Sequence, residues 1–108
     1  MNYKVGDIIL ISFPFTDLLS AKKRPVLIIK DENEYGDIVC FQITSNSKQS
    51  NLYEIHPDDL AEGELKLRSF VKYDKCFTIS TQNAEKKLAQ INRIGLNKIQ
   101  KLFCDEVF

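Results

Sequence analysis

The sequence predicts an α+β domain, mainly β, in which a small, strongly bent antiparallel sheet or barrel is closed by one C-terminal helix. Three observations predict it. Three short, apolar, β-branched runs, Ile8 to Phe13, Val26 to Ile29 and Ile38 to Ile43, are bounded by polar turn residues. Their connections are short, as in an antiparallel meander. From Gly95 on, Leu96, Ile99, Leu102, Phe103 and Val107 recur at helical spacing. The 108 residues suffice for one core and not for two, so residues 1–108 form a single domain.

Taken in order, Tyr3-Lys4-Val5-Gly6-Asp7 is a turn signal before the first strand, Ile8 to Phe13. Leu18 to Lys23 reads as a polar loop, and the second strand runs from Pro25 to Lys30. Proline fixes φ and has no N–H to donate, so it suits a strand's first residue or an edge, and it forces Arg24 into extended backbone. An acidic turn, Asp31 to Asp37, leads to the third strand, Ile38 to Ile43. Thr44 to Asn51 is polar throughout and reads as a loop. Tyr53 to His56 is a short strand stopped by Pro57-Asp58-Asp59, and Gly63 marks a further turn.

Phe70 to Ile79 is the last long strand, with Val71, Tyr73, Lys75 and Phe77 on one side and Lys72, Asp74, Cys76 and Thr78 on the other. Ser80 or Thr81 caps a short helical turn through Lys87. Leu88 to Ile94 fits strand or helix, and periodicity does not decide between them.

Composition narrows the function. Apolar residues make up 44% and charged residues 28%, as in an ordinary globular protein, and the formal net charge is zero. An anionic partner therefore needs a local basic patch, because the molecule as a whole supplies no attractive field. No signal-peptide pattern is present, and no apolar run approaches the ~20 residues of a membrane span, which points to the cytoplasm and to no membrane partner. Cys40, Cys76 and Cys104 are widely spaced with no C-x-x-C and read as reduced packing residues. Asp58 and Asp59 are adjacent on a turn and point apart, which reads as a solvated turn, not a metal shell. With His56 the sole histidine, at a strand end, catalytic pairs built on Ser/His or Cys/His are disfavoured, and neither metal nor cofactor is expected.

What remains are polar groups at strand ends. Three consecutive cations, Lys22, Lys23 and Arg24, stand at the mouth of a strand that must be buried. Thr44 and Ser45 end the next strand. In an antiparallel pair those two ends lie side by side, so Arg24 and Thr44 become neighbours, and an arginine fork beside hydroxyls and backbone N–H groups receives a phosphate well. The alternative is a surface ion pair and a plain turn. Asp74 with Lys72, on one face of the later strand, is the third polar group.

In order, Gly6-Asp7-Ile8-Ile9-Leu10, Phe13-Pro14-Phe15-Thr16-Asp17, Lys23-Arg24-Pro25-Val26-Leu27-Ile28, Ile43-Thr44-Ser45, Ser69-Phe70-Val71-Lys72-Tyr73-Asp74 and Phe77-Thr78-Ile79 resemble the MazF/PemK toxins of bacterial type II toxin–antitoxin systems. The resemblance spans nearly the whole chain, and the ordered set is what makes it specific. It implies an SH3-like barrel shared with the CcdB gyrase toxin, a homodimer, and metal-independent endoribonuclease activity on single-stranded RNA. It further implies a cognate antitoxin that binds across the toxin, and no cofactor.

Carried over by motif, Arg24 matches the arginine of the family's R-P pair, Thr44 and Ser45 match its T-S pair, and Asp74 matches the aspartate that the PemK branch uses as a base. Lys72 stands where that branch has an arginine, and no histidine lies between Thr16 and Arg24. Candidate substrate contacts are Lys22, Lys23, Lys48 and Lys72 for phosphates, and Phe15, Thr16 and Tyr73 for the nucleotides they carry. The competing readings are a non-catalytic CcdB-like toxin that binds a protein target through Phe103 to Phe108, and a plain interaction module.

Overall fold

Apolar alternation in the first half of the chain produces strands with two buried faces. The structure, a computed structural model, describes residues 3–14 and 21–108, and of residues 14 and 21 the backbone alone. Strands β1 (Asp7–Pro14), β2 (Ala21–Lys30) and β3 (Asp37–Thr44) form the expected meander. Ile8 lies opposite Leu27, and Leu27 opposite Phe41. Ile8, Leu27, Phe41 and Ile43 enter one core, whereas Ile9, Ile11, Val26, Ile28 and Cys40 enter a second on the other face. The sheet is thus sandwiched between two apolar layers, which is why these strands tolerate almost no polar residue.

β2 begins at Ala21, earlier than expected, so Lys22, Lys23 and Arg24 are strand residues and not the loop read from the sequence. They pair with Phe13, Ser12 and Ile11 of β1, and all three are exposed, so their charges stay solvated and do not oppose the ladder. Pro25 sits inside the strand opposite Leu10; the β3 ladder starts only at Val26, so β2 is an edge on that side, the place a sheet accepts proline.

β4 (Leu52–Glu54) and β6 (Phe70–Ser80) extend the sheet beyond β3, and β7 (Ala84–Ile91) and β5 (Leu60–Gly63) extend it beyond β1, in the order β4-β6-β3-β2-β1-β7-β5 with every pairing antiparallel. The two end strands remain edges, so the sheet is open. It is also strongly bent, because Tyr53 of β4, Leu60 of β5 and Ile91 of β7 pack into the same core. Ser80 does cap a helical turn, accepting from the Gln82 N–H at 3.2 Å, but that 3-10 turn ends at Asn83. From Ala84 the chain is strand, filling the open edge of β1 in place of the helical turn expected through Lys87. This settles Leu88 to Ile91 as strand.

The helix α1 (Arg93–Glu106) starts two residues before Gly95, capped by Asn92, whose Oδ1 accepts from the Gly95 N–H at 2.8 Å. Its fully buried Ile99 and its Phe103, 5.3 Å from Phe41 between ring centroids, close the first core. Asp59 corrects the solvated-turn reading. It is only 7% exposed, and its carboxylate accepts from the Tyr53 hydroxyl at 3.1 Å and from the His56 N–H at 3.0 Å. Asp58 is exposed as expected.

Alternation in β6 is broken. Gln42 of β3 pairs with Lys72, but the adjacent Phe41 pairs with Cys76, so Tyr73, Asp74 and Lys75 are inserted between paired positions. An odd insertion exchanges the two faces. Val71 and Tyr73 therefore enter the core under α1, while Phe77 packs on the opposite one, not on their side as strict alternation predicts.

Candidate functional site

Directly opposed residues of an antiparallel ladder share a face. Val26, Gln42 and Lys72 form such a row across β2, β3 and β6. Arg24 and Thr44 follow two residues on from Val26 and Gln42 and so share that face. The β2–β3 pairs stop at Val26–Gln42, so Arg24 and Thr44 both lie just beyond the last paired position.

A groove of about 510 Å³ opens on this face, lined by Phe13, Arg24, Val26, Gln42, Lys75, Cys76 and Phe77. Consecutive residues 75 to 77 line one groove only because the β6 insertion disrupts alternation there. The floor is apolar, with Phe13 and Phe77 at 6.0 Å between centroids and tilted by 58°. Arg24 and Lys75 are exposed at its rim, and among the described residues no carboxylate ion pair includes either cation. Partial desolvation by its neighbours pushes the Cys76 thiol up, and burial together with the neighbouring Cys76 pushes Cys40 up to about 12. Both shifts favour the protonated thiol, which is the weaker nucleophile. Only Cys40 is the buried packing residue expected of all three cysteines; Cys76 and Cys104 are exposed.

The remaining sequence-derived candidates separate into groups. Lys72 Nζ lies 2.8 Å from Asp74 Oδ1 and donates to the Ser50 carbonyl at 3.0 Å, tying β6 to the loop after β3. Thr44 Oγ1 accepts from the Asn46 N–H at 3.1 Å, and Asn46 Oδ1 accepts from the Lys48 N–H at 3.1 Å. These bonds order the loop and leave the Thr44 O–H as a donor. Ser45 and Lys48 are exposed on the same loop. Lys22 shares the alternation of Arg24, whereas Lys23 alternates to the other side and lies 4.0 Å from Glu85.

Tyr73 is 3% exposed with its hydroxyl donating to Glu106 at 2.8 Å, so it is a core residue that latches α1, not a stacking platform for a base. Phe15 and Thr16 lie outside the described residues. Sequence reasoning missed Phe13, Gln42, Lys75 and Phe77 as groove residues. Gln42 carried a signal, as the one polar residue in the run Ile38 to Ile43; Lys75 carried none, because the β6 insertion that aims it has no local signature.

In shape and charge, then, the face offers an apolar slot with two exposed cations, Arg24 and Lys75, among its lining residues. That is suited to a flexible anion with planar apolar parts. Residues 4–105 match a family described as PemK-like, MazF-like toxin of type II toxin–antitoxin system. No individual curated protein matches by sequence. Among solved structures, an endoribonuclease in complex with its cognate antitoxin from a mycobacterial species superposes with TM-score 0.72 at 17% identity, over 97% of this chain and 92% of that one. The MazE–MazF structure from Deinococcus radiodurans gives 0.74 at 17% identity, over 97% and 95%. Mycobacterium tuberculosis toxin MazF-mt6 gives 0.68 at 18% identity, over 92% and 93%. At these identities the likeness is one of fold.

Proposed function

Since the chain belongs to the PemK-like, MazF-like toxins of type II toxin–antitoxin systems, we propose that it is a metal-independent, sequence-specific endoribonuclease that cleaves single-stranded RNA. The observation that carries this reading is the common face of Arg24, Thr44 and Lys72 across β2, β3 and β6. RNA contains its own nucleophile, the 2′-hydroxyl beside each phosphate. The protein has only to position it, accept a proton, stabilise charge and return a proton.

In this mechanism Arg24 grips the scissile phosphate and stabilises the charge that develops on its oxygens, since a guanidinium keeps its charge and offers a planar fork. The Thr44 O–H, with Ser45 beside it, donates a hydrogen bond to the same oxygens. Asp74, steadied by Lys72, accepts the 2′-hydroxyl proton. The 2′-oxygen forms its bond to phosphorus as the bond to the 5′-oxygen breaks. The products are a 2′,3′-cyclic phosphate and a 5′-hydroxyl, and DNA resists for want of the 2′-hydroxyl. Lys22 and Lys48 extend the cationic track for neighbouring phosphates.

The partners in this reading are single-stranded RNA, a cognate antitoxin that blocks the groove, and a second copy of the chain in a homodimer. The neighbour solved with its cognate antitoxin supports the second of these. Because the chain belongs to this toxin family, we assign the protein to the cytoplasm; among the described residues no helix is long and apolar enough to cross a membrane.

The test is incubation in EDTA with a long structureless RNA and with its DNA counterpart, followed by mapping of the fragment ends. We expect RNA alone to be cut, at a short recurring sequence, with cyclic-phosphate ends. Intact RNA from folded protein that still arrests growth on expression would turn the assignment to a CcdB-like toxin with a protein target.

A further inference from the structure

The groove beside Arg24 contains more than phosphate chemistry requires. A site that only gripped phosphates would need cations and hydroxyls, yet here the floor is Phe13, Val26 and Phe77, and Gln42 stands in the wall opposite Val26. Its neighbours along the same face of β3, Cys40 and Ile38, are fully buried in the apolar layer beneath, whereas Gln42 is half-buried at the edge of that layer. A carboxamide taken from water into apolar surroundings costs free energy unless a partner satisfies it. Leucine or isoleucine would have extended the core at no such cost. The volume of about 510 Å³ falls in the ordinary range for small-ligand sites. A planar group with apolar faces, a polar edge and flanking phosphates matches the slot, and a nucleobase is such a group.

Resting on the ribonuclease reading above, we infer that Gln42 is the residue that selects the base next to the scissile phosphate. With that phosphate on Arg24, the adjacent base packs on Phe13 and Phe77 and presents its Watson–Crick edge to the Gln42 carboxamide, which offers a donor and an acceptor side by side. Lys75, on the opposite rim, takes the next phosphate. Gln42 then governs which sequence is cut and Lys75 governs how tightly any sequence is held.

The experiment compares wild type with Gln42→Leu and Gln42→Glu on RNA randomised around the cut. Leucine removes both polar atoms; glutamate keeps the shape and removes the donor. We expect Gln42→Leu to lose about tenfold or more of the preference at one nucleotide position beside the cut, with other positions unchanged. Gln42→Glu should prefer a different base at that same position. Lys75→Ala should slow cleavage of all sequences alike.

An unchanged preference at every position, with only a uniform change in rate, would overturn the inference. So would complete loss of cleavage in both folded Gln42 variants, which would place Gln42 in the reaction itself. Should either variant fail to fold, wild-type protein is photo-crosslinked to RNA that has a photoreactive base beside a 2′-deoxy cut site. Crosslinks in peptides containing Phe13, Gln42 or Phe77 support the pocket, and crosslinks confined to other peptides overturn it. A wild type that cuts RNA with a pattern indifferent to Gln42 defeats this inference alone, whereas a wild type that cuts no RNA defeats the ribonuclease reading with it.

Discussion

Tyr53 donates its hydroxyl to Asp59 on a turn that the sequence marks only as polar, and its burial there contributes to how the protein responds to alkali. Burial, then the adjacent carboxylate and its hydrogen bond, push the phenol up to about 12. An unfolded tyrosine releases its proton near about 10. The folded state therefore holds the proton more tightly, and the stability this contributes is complete below pH ~10 and drains away as pH rises through about 12. Urea unfolding followed by circular dichroism between pH 8 and 12 should show a fall in midpoint that is shallower in Tyr53→Phe; equal slopes would remove Tyr53 from the account. The same scale explains why the burial of Asp59 escapes the sequence. Adjacency of Asp58 and Asp59 says that they point apart, but not which of them turns inward to meet a tyrosine six positions back.

Among the elements, the apolar strands and the mixed strand β6 were legible, whereas the polar starts of β2 and β7 were not. Ile8 to Phe13, Pro25 to Lys30 and Ile38 to Ile43 declare themselves because both faces are buried. The start of β2, with Lys22 to Arg24, and the start of β7, with Glu85 to Lys87, look like loop or helix, since their strand state comes from ladder partners on β1 and not from their own side chains. β5 hides for the same reason, and Gly63 within it reads from the sequence only as a turn. Its φ is +76°, and a Cβ at this position would lie 2.5 Å from the Leu88 carbonyl oxygen, so the β5–β7 contact needs glycine. Gly63→Ala should destabilise the fold by about 1–3 kcal/mol, measured by chemical denaturation. The helix follows ordinary core arithmetic: Ile99→Ala, at a fully buried position, should cost about 2–5 kcal/mol. Of the groove, Arg24 was legible, as a cation ahead of an apolar strand run. The groove wall on β6 was not, because three inserted residues there re-aim Lys75 and Phe77 with no local turn signal.

At the scale of the whole molecule, zero net charge means that no long-range field draws RNA in. In the proposed reading binding then rests on few contacts, with Arg24 and Lys75 at the groove and Lys22 and Lys48 as further candidates. Lys75→Ala should lower RNA affinity at every sequence and reduce the slope of log affinity against log salt by about 0.7, the contribution of one contact to a single strand. Fluorescence anisotropy with a 2′-deoxy-protected oligonucleotide measures this, and an unchanged slope would place Lys75 off the RNA path. The bend that joins both ends of the sheet in one core holds the groove on the face away from α1, so its chemistry can be tested without disturbing the helix. The most direct test is the single-turnover cleavage rate of Arg24→Ala beside wild type in EDTA, on one RNA, with circular dichroism confirming the fold. A fall of about 10²-fold or more with the fold intact is the predicted result; an unchanged rate would contradict the assignment of Arg24 to the scissile phosphate.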